Sequence, residues 1–72
     1  MFPIGIQVSS IKEEGLWNIL EIIEEEYNGI PIRCFKQHVV PYPTKRWSMM
    51  VCFRQQDLVH AMKFRMRLSN DL

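Results

Sequence analysis

The chain has 72 residues, 47% hydrophobic, 24% charged and 11% aromatic, with a formal net charge of +1. That length implies one domain spanning residues 1–72 with a small core, since so short a chain hides only ~60% of its unfolded surface. The composition excludes a disordered tail, and no apolar run approaches the ~20 residues of a membrane-spanning helix. Met1-Phe2-Pro3-Ile4 has neither the basic opening nor the long apolar stretch of a signal peptide, so a soluble chain in the reducing cytoplasm is expected. Cys34 and Cys52, the two cysteines, are too few for a disulfide scaffold or an all-cysteine zinc site.

The charge is unevenly distributed. Residues 1–30 hold one base, Lys12, against six acids, whereas residues 31–72 hold eight bases against Asp57 and Asp71. Such asymmetry bears on partners rather than on fold. It suits a basic surface for nucleic acid or an acidic protein, and equally two halves that neutralise each other on folding.

Phe2, Ile4, Ile6 and Val8 alternate with Pro3, Gly5 and Gln7, the period of a strand with one buried face. Pro3 has no backbone donor and fits the strand start or an edge. Ser10 with Glu13 matches a capping box, and a helix follows from Ile11 to about Tyr27. Leu16, Leu20, Ile23 and Tyr27 form its apolar stripe, with Ile19 and Ile22 on one flank and Trp17 on the other. Gly15 costs ~1 kcal/mol relative to alanine inside a helix, which points to close packing there. Asn28-Gly29 supplies a left-handed cap, and Pro31 bars continuation.

Ile30 to Val40 reads as a second strand, and Arg46 to Phe53 as a third. The break Pro41-Tyr42-Pro43-Thr44 makes them an antiparallel hairpin. Gln55 to Lys63 reads as helix, with Leu58, Ala61 and Met62 on its stripe and Asp57 in the first turn. Phe64, Met66 and Leu68 alternate with Arg65 and Arg67, which leaves a short fourth strand open. Helical continuation to about Arg67 is the preferred reading, since cations favour a last turn.

The order β-α-β-β-α gives an α+β fold on the ferredoxin-like plan, whole or without its last strand. Helices cover one face of an antiparallel sheet. Ile4, Ile6, Val8, Met49, Val51 and Phe53 would face them, together with Ile32 and Cys34. The open face would carry Gln7, Arg33, Phe35, Gln37, Ser48, Met50 and Cys52.

No enzyme is expected. A nucleophile needs a positioned base, and alternation sets Cys34 and Cys52 on opposite faces of the sheet. Cys34 and His38 lie ~13 Å apart along a strand, too far to share a metal ion, so neither metal nor cofactor is expected. The three glycines are scattered, without a phosphate-loop pattern. Glu24-Glu25-Glu26 reads as a solvated helix end.

Binding has more support. Lys45, Arg46 and Trp47 cluster at the hairpin, with Arg33, Phe35 and Lys36 on the neighbouring strand and Met50 on the open face. These are the candidate contact residues. Cations beside aromatics also suit single-stranded nucleic acid, the alternative reading. The pattern lacks the glycine-rich aromatic strand of an RNA-recognition motif.

The stretch from Phe53 to Met66 has an aromatic residue, a polar turn, an Asp opening a helix and an aromatic-basic finish, carried by Phe53, Asp57, Ala61, Phe64 and Arg65. It resembles the ending of short phage-encoded accessory proteins, and departs from them in having no tryptophan or glycine after the basic finish. The resemblance implies a viral accessory protein that acts in the host cytoplasm by binding a host protein, and it transfers no catalytic residue. The sheet itself offers a surface to a host or viral protein or, through its open face or an unpaired edge strand, to a second copy of the chain.

Overall fold

Strand β1 (Ile4–Ser10) leads into helix α1 (Glu13–Glu26), then the hairpin of β2 (Ile32–Val40) and β3 (Arg46–Phe53). A single 3₁₀ turn (Gln55–Asp57) opens into helix α2 (Leu58–Asp71). The computed structural model describes residues 1–71, apart from the side chains of residues 36, 37, 70 and 71. The sheet is open and antiparallel in the order β1-β3-β2. Both outer strands run antiparallel to β3, so β1 and β2 are parallel to each other with β3 between them.

The core forms where the sheet meets the helices. Val8, Met49, Val51 and Phe53 from the sheet pack with Leu16 of α1 and Ala61, Phe64 and Leu68 of α2. Tyr27 stands edge-on to both large rings, with centroids 6.3 Å from Phe53 and 5.6 Å from Phe64. Such edge contacts add ~0.5–1.5 kcal/mol beyond area burial. Leu20, Ile23 and Tyr27 extend the α1 stripe, half-buried against this cluster.

Several expectations are corrected. The Ser10–Glu13 capping box does not form: Lys12 is the N-cap and receives no side-chain cap. Ser10 instead closes a local turn, its hydroxyl donating to the Lys12 carbonyl at 2.6 Å and accepting from the Lys12 N–H at 3.3 Å. Such local bonds let serine compete with regular helix geometry. The C-cap of α1 is Tyr27, and Gly29 supplies its positive φ of 91° two residues later, where the Ile30 N–H donates to the Tyr27 carbonyl.

Trp17 turns out to solvent rather than flanking the core, with its indole N–H donating to Glu13 Oε1 at 3.2 Å. Residues 64–68 are helix, so the fourth strand considered there does not form. The buried stripe of α2 is Ala61, Phe64 and Leu68. Met62 and Leu58 are turned outward, because Phe64 takes the place beside Phe53 and sets the rotation of the helix. Asp57 closes the 3₁₀ turn and accepts from Arg54 Nε at 2.8 Å, a half-buried charged bond that anchors the start of α2.

Candidate binding face

The face of the sheet turned away from the helices is ordered in cross-strand rows. Gly5, Cys52 and Arg33 form the first row, Gln7, Met50 and Phe35 the second, and Ser9, Ser48 and His38 the third. Arg46 opposite Val40 ends the face. Alternation assigns Gln37 to this face, but a bulge between Phe35 and His38 shifts the register and gives the position opposite Ser48 to His38. A bulge inserts an unpaired residue, which a period-two count cannot register.

Long side chains cover much of this face. Ser48 is buried beneath Gln7, whose amide donates to its hydroxyl at 3.1 Å. Cys52 is buried as well. Met50 lies over Gly5, so that a Cβ at Gly5 would stand 3.1 Å from its sulfur and 3.8 Å from the Cys52 sulfur. Arg33 sits over the ring of Phe2, with its guanidinium carbon 5.1 Å from the centroid. Phe2 lies before the strand and leaves the alternation that would have put it with Ile4. The missing side chain at Gly5 and the ring at Phe2 thus shape the face, although sequence patterning marks neither as functional. Gly5 inside an apolar alternation was the available signal.

What remains open to solvent in the middle is Phe35, 55% exposed, and Met50, 37% exposed. Exposed Arg33 and Arg46 stand at opposite ends, about 20 Å apart along the strands. Exposed Lys45 precedes Arg46 in the connection. Trp47 separates from the other candidates: it is half-buried and packs against the core, on the helix side. The side chain of Lys36 lies outside the described residues. The candidates therefore divide into an aromatic-aliphatic centre, a basic hairpin end and one core residue.

Cys34 and Cys52 carry free thiols on opposite faces. Cys34 is exposed as a whole residue, yet its sulfur is partly desolvated against the sheet, which pushes the thiol pKa up, and Cys52 adds to the rise. The protonated form is favoured, the opposite of an activated nucleophile. Among the described residues, no group of three or more His, Cys, Asp or Glu side chains could hold a metal ion. Nor is any helix among them long and apolar enough to cross a membrane.

The class these features define is a small α+β domain whose antiparallel sheet has helices on one face only. No protein-family model, curated protein or solved structure matches the chain.

Proposed function

We propose that the chain is a small non-enzymatic binding module that presents its uncovered sheet face to a protein partner. The observation carrying this reading is Phe35 beside Met50, exposed in the middle of that face with arginines at either end. Aromatic, methionine and arginine side chains are the types enriched at protein interfaces, and a central anchor with a charged rim is the usual arrangement of a hot spot. Phe35 and Met50 make the centre of the contact, Arg33 closes one end of it, and Lys45 and Arg46 at the other end steer an acidic partner.

The strand arrangement fits a ferredoxin-like plan without its last strand. The C-terminal resemblance to phage accessory proteins adds a biological setting: the host cytoplasm, with a host or viral protein as partner.

The test is photo-crosslinking in cells with benzoylphenylalanine at position 35, and at Glu21 on α1 as control. A discrete protein adduct from position 35 that disappears with Lys45→Glu/Arg46→Glu supports the reading. Adducts equal to those from position 21 sink it. Adducts to nucleic acid alone, removed by salt, transfer the face to the single-stranded nucleic-acid reading.

A further inference from the structure

We propose that two copies of this chain join edge to edge through β1, antiparallel, fusing two sheets into one of six strands. The pairing is independent of the partner-binding reading above.

The two edges of the sheet are treated differently. Natural edge strands are protected from pairing by charges, prolines or bulges. Edge β2 has all three: Arg33 and Lys36 in its sequence, Pro31 and Pro41 at its ends, and the bulge between Phe35 and His38. Edge β1 carries neither a charge nor a bulge from Ile4 to Ser10, and its only flanking proline is Pro3 at the start. Among the described residues its outer backbone groups have no strand partner, because β1 pairs with β3 alone.

Beside this edge runs a groove of about 380 Å³, walled by Gly5 to Ser9 on one side and by Arg65, Leu68 and Ser69 of α2 on the other. On the α2 side the groove is lined by Arg65, Leu68 and Ser69, and exposed Leu58, Met62 and Met66 stand on the helix surface beyond them. Met62 is the helical neighbour of Arg65 and Met66, and Leu58 lies one turn before it. These three are 58%, 64% and 40% exposed for Met62, Met66 and Leu58. The opposite flank of α2 is committed to α1, where Arg67 donates to Glu26. Unpaired backbone and exposed methionines thus lie on the same side of the molecule.

A second copy is the occupant that suits this edge. A two-fold axis at Gln7 sets Ile6 opposite Val8 of the other copy, and Gly5 opposite its Ser9. Ile6 and Val8 then meet under the helices, Ile4 faces Ser10 at the strand ends, and Gly5 meets Ser9 on the open face. The strand carries no charge, so self-pairing opposes no like charges along its length. Arg65, at the rim and exposed, keeps its guanidinium in water. A strand of this length falls short of the ~800 Å² per partner of a stable interface. The facing α2 flanks supply the remaining apolar area.

The experiment is sedimentation equilibrium on the wild-type chain, on Met66→Glu, and on Gln7→Lys and Gln7→Glu separately and mixed. The expected wild-type mass is that of two chains. Met66→Glu, at an exposed position, keeps the circular dichroism spectrum and weakens dimerisation at least ~10-fold. Gln7→Lys and Gln7→Glu each weaken it, and mixing them restores a heterodimer, since the axis sets position 7 against itself. A wild-type monomer at all concentrations overturns the proposal. So does a dimer indifferent to these substitutions, a mixture that fails to re-associate, or a dimer dissociated only by Phe35→Glu on the open face.

Discussion

Gly15 and Ser10 approach so closely that a Cβ on Gly15 would stand 2.0 Å from the Ser10 hydroxyl and 2.7 Å from its Cβ. The serine is held there by its two bonds to Lys12. Rotating the hydroxyl away would leave the clash with its Cβ. The glycine is therefore required by the turn from β1 into α1, although it weakens the helix.

Gly15→Ala should accordingly destabilise, even though alanine is the better helix former by ~1 kcal/mol. Overpacking of this kind costs ~1–3 kcal/mol, a fall in Tm of about 4–8 °C for each kcal/mol in a domain this size. Thermal unfolding checks it, and Ser10→Gly in the same chain should recover part of the loss. A rise in Tm for Gly15→Ala would show that the turn gives way without strain.

Phe64→Ala should remove most of the stability. Phe64 is fully buried and contacts both Phe53, at 5.7 Å between centroids, and Tyr27. Deleting such a ring costs ~3–5 kcal/mol, a large share of the ~5 kcal/mol typical of the least stable domains. Urea unfolding at 25 °C should find the variant's midpoint shifted close to zero denaturant. Lys63→Ala, at an exposed position on the outward side of the same helix, should change the midpoint little.

Alkaline pH should weaken the fold through Tyr27. Burial, with the neighbouring Glu26 carboxylate, raises its phenol above the ordinary 10.0, and Arg67 partly opposes this. The native state thus holds the proton more tightly than the unfolded chain. The associated stability is complete below the unfolded value near ~10 and is lost as pH rises through the native one. Tm measured from about pH 9 to about pH 11 should fall, and Tyr27→Phe should flatten the fall. An identical profile for the variant would assign the loss to other groups.

Thiol labelling should separate the two cysteines. Cys34 is exposed and Cys52 buried, so a native chain should take up label at Cys34 well before Cys52, and both should react in denaturant. With its pKa raised, Cys34 should react more slowly at neutral pH than a free thiol of ordinary acidity. Mass spectrometry of peptides reads both outcomes.

Much of the architecture is legible in local patterns. The period-two run from Ile4 to Val8 becomes β1, and the Leu16-Leu20-Ile23-Tyr27 spacing becomes the stripe of α1 that meets the core. Pro41 and Pro43 mark the break between β2 and β3. These features depend on near neighbours, so period and backbone chemistry suffice to place them.

Other features depend on residues distant in the chain. Which side of α2 is buried follows from Phe64 meeting Phe53 and Tyr27, so Met62 faces out despite its apolar character. The bulge that brings His38 opposite Ser48 arises from pairing with β3 and leaves no mark in the alternation of β2. The grouping of Phe35 with Met50, the burial of Ser48 under Gln7, and the withdrawal of Trp47 into the packing on the helix side likewise follow from register. Periodicity determined that this chain makes strands and helices in this order, because each needs only contacts a few residues apart. Tertiary packing decided which side chains remain on the surface, because burial is set by what the rest of the chain brings against them.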